Sequence, residues 1–174
     1  MTPSSPPEVL ISQAAIDARV REMGTEITRC YDGQEVVVIG ILNGSFMFMA
    51  DLVRCMELPV RCEFLGLSSY GDATESSGVV AITKDLGASI EGKHVLVVED
   101  IVDTGLTLAY LLDNLGTRKP ASLRIATLLS KPARRQVRID VDFLGFTIED
   151  RFVVGYGLDR AGLFRNLPYI GAMD

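Results

Sequence analysis

The segment VLVVEDIVDTGLT, residues 95–107, is the strongest indication of the fold of this chain. Its first four residues are apolar, the acidic pair Glu99 and Asp100 follows, and a helix-like run occupies residues 108–115. An apolar run of this kind predicts a strand that is buried on both faces of a parallel sheet. Ligands of open α/β sheets bind beyond the carboxyl ends of such strands. The segment therefore predicts an α/β fold and a binding site where the strand ends.

The connection Asp103-Thr104-Gly105-Leu106-Thr107 sets the chemistry of the predicted site. Backbone N–H groups at a helix N-terminus, with a glycine that permits close approach, suit a phosphate group. Glu99 and Asp100 would repel a bare phosphate, but they suit ribose hydroxyls or a bound cation. The predicted ligand is therefore a sugar phosphate that carries Mg²⁺. The alternative is structural: Asp103 and Thr104 cap the helix, and the acidic pair is a solvated strand end.

Strands alternate with helices along the chain, which indicates an α/β protein with a mainly parallel, twisted sheet and helices on both faces. Helices are predicted over residues 12–31 and 46–56, and strands over residues 35–42, 60–67, 79–83, 123–129, 142–148 and 152–154. Residues 1–174 are predicted to form one domain, with a disordered tail at residues 1–8 and a loop-rich C-terminus. The polar residues 68–78 predict a long, mobile hairpin loop that acts as a lid, or else an ordinary hairpin tip.

The composition argues against several classes of function. A net charge of −6, from 17 basic and 23 acidic residues, disfavours a general nucleic-acid or membrane-binding surface. A single histidine, His94, leaves no Ser-His-Asp triad and no multi-histidine zinc site. Three cysteines without paired spacing predict reduced thiols. No secretory segment and no apolar stretch of membrane-spanning length is visible, so a cytoplasmic location is expected.

The segment from Glu99 to Thr107 resembles the phosphoribosyl-pyrophosphate signature of the type I phosphoribosyltransferases. Its Glu-Asp pair followed by a third acid, Asp103, resembles the hypoxanthine-guanine branch of that family. The resemblance implies the family's fold and a transferase reaction of purine salvage. Hypoxanthine or guanine reacts with 5-phosphoribosyl 1-pyrophosphate, with Mg²⁺ as the cofactor, and the products are IMP or GMP and pyrophosphate.

The resemblance also implies roles for the residues of the signature. Glu99 and Asp100 hold the ribose hydroxyls, and residues 103–107 cradle the 5-phosphate. Asp103 accepts the proton at purine N7, which is a general acid-base role. Together with Asp159, the acids Glu99 and Asp100 are the implied metal-binding residues, directly or through water and ribose.

A second group of residues is implied to bind the purine. Lys131 resembles the lysine that donates to the 6-oxo group of the purine. Phe152 resembles the aromatic residue that stacks on the base, and Val153 resembles the residue whose backbone hydrogen-bonds to the base edge. Asp159 resembles the acid near the 2-position. Taken singly, Lys131 also fits a solvated surface charge and Phe152 a core aromatic.

A third group is implied to bind pyrophosphate. The run Leu-Asn-Gly that ends at Gly44 resembles a turn that commonly reads Leu-Lys-Gly in the family. Asn43 replaces the lysine and removes a cation, although backbone amides can still bind; an ordinary strand–helix turn is the alternative for its side chain. Arg165 resembles a residue that reaches pyrophosphate. Ser69 and Tyr70 resemble the Ser-Tyr of a mobile loop that closes over the site and excludes water.

Two alternatives stay open at this point: a relative that prefers xanthine, and a non-enzymatic regulator with the same fold. A regulator should carry a basic face or an added DNA-binding segment, and the charge balance weighs against it. Lys131 and Phe152 disfavour adenine and pyrimidines, whereas the preference among 6-oxopurines depends on the geometry around Asp159. The implied partners are the purine base, the donor, and further copies of the chain in a homodimer or homotetramer.

Overall fold

The computed structural model describes residues 6–69 and 80–173. The expected lid residue Tyr70 and most of the loop at residues 68–78 therefore lie outside the described part, and of Ser69 only the backbone is described. The described helices are α1 Gln13–Tyr31, α2 Phe46–Arg54 and α3 Leu106–Gly116, with a short 3₁₀ helix at Pro132–Arg134. The described strands are β1 Glu8–Ile11, β2 Val36–Leu42, β3 Val60–Ser69, β4 Val80–Lys84, β5 His94–Val102, β6 Ser122–Ser130, β7 Phe143–Thr147, β8 Phe152–Val154 and β9 Ile170–Met173.

Six strands form the main sheet in the order β4-β3-β2-β5-β6-β7. All neighbours are parallel except β4, which pairs with β3 as an antiparallel hairpin. The predicted α/β class with a mainly parallel sheet is confirmed. Gly40 pairs with Val98, and Val102 pairs with Ser130. The carboxyl ends of β2, β5 and β6 therefore meet at one edge, where the sequence pattern predicts the site.

Helices cover both faces of the sheet, as predicted. Val36 and Val38 of β2 pack in one core cluster with α1 and α2, whereas Val37 and Ile39 pack in a second cluster with α3. This division follows from the strand geometry, because successive side chains point to opposite faces. Each fully buried Val, Leu or Ile contributes about 1.5–3 kcal/mol relative to exposure. The near-continuous apolar runs of the sequence are thus explained by burial on both faces.

Helix α1 begins and ends close to its predicted limits. The Ser12 hydroxyl accepts a hydrogen bond from the backbone N–H of Ala15 at 3.2 Å, which caps the first turn. Asp32 adopts a left-handed conformation with φ 48° and ends the helix, one residue before the glycine expected to stop it. The predicted apolar face is buried, namely Ile16, Val20, Met23 and Ile27. Helix α2 ends at Arg54, two residues earlier than the pattern predicts.

A second, three-stranded antiparallel sheet has the order β1-β9-β8 and was not predicted. Glu8 begins β1 and pairs with Ala172, so the expected disordered tail over residues 1–8 is wrong at Glu8. The C-terminal segment expected to be loop contains β9. β1 is mostly exposed and lacks the alternation that marks a strand, because its stability comes from pairing with a distant segment. None of the described helices combines the length and the apolarity that a membrane crossing requires.

Candidate active site

Glu99 and Asp100 lie inside β5, not in a turn after it, because pairing with β6 continues to Val102. Both residues keep part of their surface exposed, but the surrounding protein desolvates their carboxyl groups. Burial raises the pKa of Glu99 well above its ordinary value, and the neighbouring Asp100 carboxylate adds to the rise. Burial also raises the pKa of Asp100. Two adjacent desolvated carboxyl groups fit a hard cation with oxygen ligands, such as Mg²⁺.

The turn after β2 lies directly against this acidic pair. A Cβ atom added to Gly44 would lie 1.6 Å from Oδ2 of Asp100, so only glycine permits the observed approach. The carboxylate is oriented by the backbone N–H of Ile101, which donates to Asp100 Oδ1 at 2.7 Å. The peptide bond between Leu42 and Asn43 is cis. The structure thus brings together two of the segments that the resemblance assigns to the donor.

The start of α3 forms a small concave site. Gly105 is the N-cap residue with φ 87°, in the left-handed region that favours glycine. The backbone N–H of Leu106 makes only a long hydrogen bond to Thr104 Oγ1, at 3.4 Å. A cavity of about 90 Å³ lies beside this turn, and its lining includes Asp103 and Thr107. The first N–H groups of a helix have no acceptor within the helix, so a helix N-terminus beside a small cavity is suited to a phosphate group.

Asp103 does not cap α3, because the N-cap is Gly105 and no side chain caps it. The capping alternative is therefore wrong for Asp103. Its Oδ1 atom lies 3.2 Å from Nε of Arg134. That distance makes an ion pair, although the angle leaves Oδ1, a buried atom, without a hydrogen bond. Asp103 therefore retains a free acceptor at the position where the resemblance places the proton acceptor.

Lys131 is buried, with 5% of its surface exposed, so the solvated-charge alternative is wrong. Its Nζ atom lies 3.9 Å from Oδ1 of Asp150, and Nη1 of Arg134 lies 3.7 Å from the same oxygen. A chain of alternating charges therefore links Lys131 to Asp103 through Asp150 and Arg134. The sequence reasoning missed the last two residues, because Arg134 belongs to a charge run and Asp150 precedes a strand without any motif.

Phe152 and Val153 begin β8 and face different surroundings. Phe152 is 51% exposed, so the core-aromatic alternative is wrong, whereas Val153 is buried. An exposed aromatic ring on a strand can stack on a flat heterocycle. Because β8 belongs to the second sheet, the candidate purine residues come from both sheets of the protein. Lys131, which follows β6 of the main sheet, supplies a buried cation, and Phe152 of the second sheet supplies an exposed aromatic ring.

Arg165 and Asp159 form one linked pair. Nη2 of Arg165 lies 2.8 Å from Oδ1 of Asp159, and Nη1 donates to the Gly157 carbonyl at 2.6 Å. The other carboxylate oxygen of Asp159 accepts from the backbone N–H of Gly162 at 2.7 Å. Gly157 has φ 100° and lies so close to Gly44 that an added Cβ would be 2.1 Å from the Gly44 carbonyl oxygen. This packing holds Arg165 and Asp159 beside the turn that ends at Gly44.

Two further expectations concern a metal ion and the single histidine. No group of three His, Cys, Asp or Glu residues within the described ranges could by itself hold a metal ion. Glu99, Asp100 and Asp159 therefore do not form an all-protein cage, and a cation here would need oxygens of the donor or of water. His94 pairs with Ser122 at 2.8 Å at the start of β5, and thus at the end opposite to the acidic pair.

Comparisons with known proteins agree with this geometry. A family model described as the phosphoribosyl transferase domain matches residues 10–161. The hypoxanthine phosphoribosyltransferase of Haemophilus influenzae is 54% identical over 167 residues, which cover 94% of this chain and 93% of that protein. The hypoxanthine-guanine phosphoribosyltransferase of Bacillus subtilis is 48% identical over 166 residues, with 95% of this chain and 92% of that protein covered. A crystal structure of a hypoxanthine-guanine phosphoribosyltransferase from Bacillus anthracis has a TM-score of 0.93 and 45% identity, and covers 98% of this chain and 100% of that chain.

Proposed function

This chain belongs to the phosphoribosyl transferase domain family, and we propose that the carboxyl-edge site described above performs its chemistry. Its activity is that of a hypoxanthine/guanine phosphoribosyltransferase of purine salvage. The site assignment depends mainly on the close approach of Gly44 to the Asp100 carboxylate. That contact places a backbone suited to pyrophosphate beside acids suited to ribose hydroxyls. The bond that breaks in the donor would lie between these two segments.

The acidic pair holds the ribose and favours the transition state. Loss of pyrophosphate from the anomeric carbon gives the sugar the character of an oxocarbenium ion, and the carboxylates of Glu99 and Asp100 stabilise that positive charge. When bound, Mg²⁺ neutralises charge on the departing pyrophosphate. Glu99, Asp100 and Asp159 would hold the cation, directly or through ribose and water oxygens. The N–H groups at the start of α3 hold the 5-phosphate at a fixed distance from the reacting carbon.

Asp103 takes up or returns the proton at purine N7. Its carboxylate oxygen without a hydrogen bond, on a residue that lines the small cavity at the start of α3, supports this role. Arg134 lies 3.2 Å from that oxygen and orients the carboxylate. Asp103 is therefore the general acid-base residue, and Arg134 is a positioning residue.

Base selection depends on Lys131 and the β8 residues. The Lys131 ammonium donates to the 6-oxo group of the purine, and it would leave a donor facing the 6-amino group of adenine. Burial makes such a mismatch costly, because the unpaired group is desolvated. Phe152 stacks on the base, and the backbone of Val153 reads its edge. These contacts favour 6-oxopurines as a class.

A steady-state assay with the Mg²⁺-loaded donor and four bases tests this proposal. We expect IMP and GMP from hypoxanthine and guanine, little product from adenine, and loss of activity when EDTA removes Mg²⁺. Equal use of adenine and hypoxanthine would contradict the role of Lys131. Faster turnover of xanthine than of both other 6-oxopurines would make the chain a xanthine-preferring member of the family.

We also propose that the chain forms a homodimer or homotetramer and works in the cytoplasm. Large hydrophobic side chains are exposed at Val9, Leu10 and Tyr110, and an interface between copies would cover such residues. The three cysteines are all free, which supports a reducing compartment. Sedimentation equilibrium measures the number of copies, and a monomeric mass at assay concentration would contradict the first part.

A further inference from the structure

A cavity of about 460 Å³ lies next to the turn that ends at Gly44, and it shares no lining residue with the cavity at the start of α3. Its lining residues are Leu42, Asn43, Phe46, Phe64, Lys84 and Arg165. The two charged members of this lining are both cations, although the protein as a whole is acidic. Such a pocket suits an anion that projects from the reacting centre.

Arg165 alone is poorly placed to balance a diphosphate. Its guanidinium already pairs with Asp159 at 2.8 Å and donates to the Gly157 carbonyl at 2.6 Å. These contacts fix the side chain, but the carboxylate offsets much of its charge. Asn43, at the position where the related turn commonly has lysine, contributes no charge. A second protein cation on this side of the site would balance diphosphate charge that Arg165 leaves uncompensated.

Lys84 is positioned to supply that charge. It is the last residue of β4 and pairs with Gly66, which in turn pairs with Leu42. Two strand spacings of about 4.8 Å separate the Lys84 and Leu42 backbones, and a lysine side chain can span much of that distance. The Lys84 ammonium donates to the Phe64 carbonyl at 3.2 Å, which uses one of its three donors.

The pKa of Asp85, the next residue in the chain, is lowered mainly by Arg118 and least by the charge of Lys84. Oδ1 of Asp85 pairs with Arg118 at 2.7 Å and accepts from the backbone N–H of Leu86 at 2.7 Å. Lys84 is exposed, so its side chain is free to turn from a backbone carbonyl toward an incoming anion. A flexible ammonium of this kind acts as a point charge for phosphate oxygens.

We propose that Lys84 is the second cation of the pyrophosphate-binding pocket and replaces, from a neighbouring strand, the charge that Asn43 lacks. The proposal rests on the proposed function, because the anion is the diphosphate of the donor and product. Lys84 contacts the diphosphate in the bound donor and again in the released product. It makes no contact with the purine or the ribose.

Substitution of Lys84 by Gln, which keeps most of the stem and removes the charge, tests the proposal. We expect Lys84→Gln to raise the KM for the donor and the inhibition constant of inorganic pyrophosphate by about tenfold, the value of one partly exposed charge-assisted hydrogen bond. The KM for hypoxanthine should stay within about twofold of wild type. Calorimetric titration with Mg²⁺ and inorganic pyrophosphate should show the same loss without any turnover. Lys84→Arg, which keeps the charge, should retain most of the affinity.

Two further variants make the test specific. Lys93 is a half-exposed lysine at the opposite end of the sheet, where it pairs with Glu35 at 3.7 Å, so Lys93→Gln should leave both constants unchanged. Adding Asn43→Lys to Lys84→Gln should restore pyrophosphate affinity, because it returns a cation to the same pocket. Unchanged pyrophosphate affinity in Lys84→Gln, or an equal loss in Lys93→Gln, overturns the proposal. Wild-type synthesis of IMP in the same experiment would show that the proposed function survives such a failure.

Discussion

Substitution of Gly44 by alanine tests the geometric core of the site. The φ of Gly44 lies outside the left-handed region, so an alanine there strains no backbone dihedral. The new Cβ would instead lie 1.6 Å from Oδ2 of Asp100 and 2.6 Å from its Cγ. Ordinary contact begins at about 3.5 Å, so the carboxylate must move by roughly 2 Å. A misplacement of about 1 Å in a catalytic group can cost on the order of 10²-fold in rate.

We therefore expect Gly44→Ala to lower kcat/KM for the donor by about 10²-fold or more. The free energy of unfolding should fall by no more than about 1–3 kcal/mol, because the half-exposed Asp100 side chain can turn toward solvent. Steady-state kinetics with varied donor and thermal unfolding without ligands measure the two effects. Gly116→Ala is a matched control at the end of α3, where an added Cβ meets nothing within 4 Å. That variant should keep full activity and gain up to about 1 kcal/mol of stability.

A double-mutant cycle identifies the cause of the loss. In an Asp100→Ala background the atom that clashes is absent, so adding Gly44→Ala should cost no further stability. Near-normal kcat/KM in Gly44→Ala would refute the reasoning, because the turn and the acid could then be separated without effect. A clash with Asp100 would also be ruled out as the cause if Gly44→Ala destabilised the Asp100→Ala variant as much as it destabilises the wild type.

Three further predictions concern single side chains. Asp103→Asn should lower turnover by about 10²–10⁴-fold in steady-state assays, with donor and purine binding nearly unchanged. Its Tm should not shift, because the ion pair of Asp103 with Arg134 is partly exposed. A near-normal turnover would contradict the acid-base role of Asp103. Lys131→Ala should raise the KM for hypoxanthine and guanine by about 10–100-fold and leave the KM for the donor unchanged. A higher KM for the donor with an unchanged KM for the purines would assign Lys131 to the phosphate site. Glu99→Gln should raise Tm without metal at a pH above the raised pKa of Glu99, because burial raises that pKa and the folded protein loses stability as pH rises through it. Calorimetry in EDTA at a series of pH values should show a gain that shrinks as pH falls, because burial favours the protonated wild-type carboxyl. A gain that does not depend on pH would contradict the assigned cause.

Local sequence patterns are enough to predict the fold class and the edge of the sheet where the site is expected. The apolar run of β5 is long enough to predict burial on both faces, and the order of strands and helices predicts a parallel sheet with its site at the carboxyl edge. The 3.6-residue spacing of Ile16, Val20, Met23 and Ile27 predicts α1 and its buried face. These features are local, because periodicity and chain order are properties of neighbouring residues.

The acidic pair marks the limit of that local reasoning. The apolar run ends at Val98, yet β5 continues through Glu99 and Asp100 to Val102 because β6 supplies backbone partners for them. Strand length therefore depended on a neighbour that lies elsewhere in the sequence. The second sheet has the same origin, since β1 is mostly exposed and exists through its pairing with β9.

The contacts between the candidate site residues depend on tertiary packing. The approach of Gly44 to Asp100, the charge chain from Lys131 through Asp150 and Arg134, and the shared cavity of Lys84 and Asn43 all join residues from separate elements. No periodic pattern encodes such contacts, because the distance between two side chains depends on how the sheet and its loops pack. Burial then changes what each group can do: the surrounding protein raises the pKa of Glu99 and leaves Lys131 as a desolvated donor. The residue types supply the chemical groups. Packing sets the positions of these groups and how strongly they are desolvated.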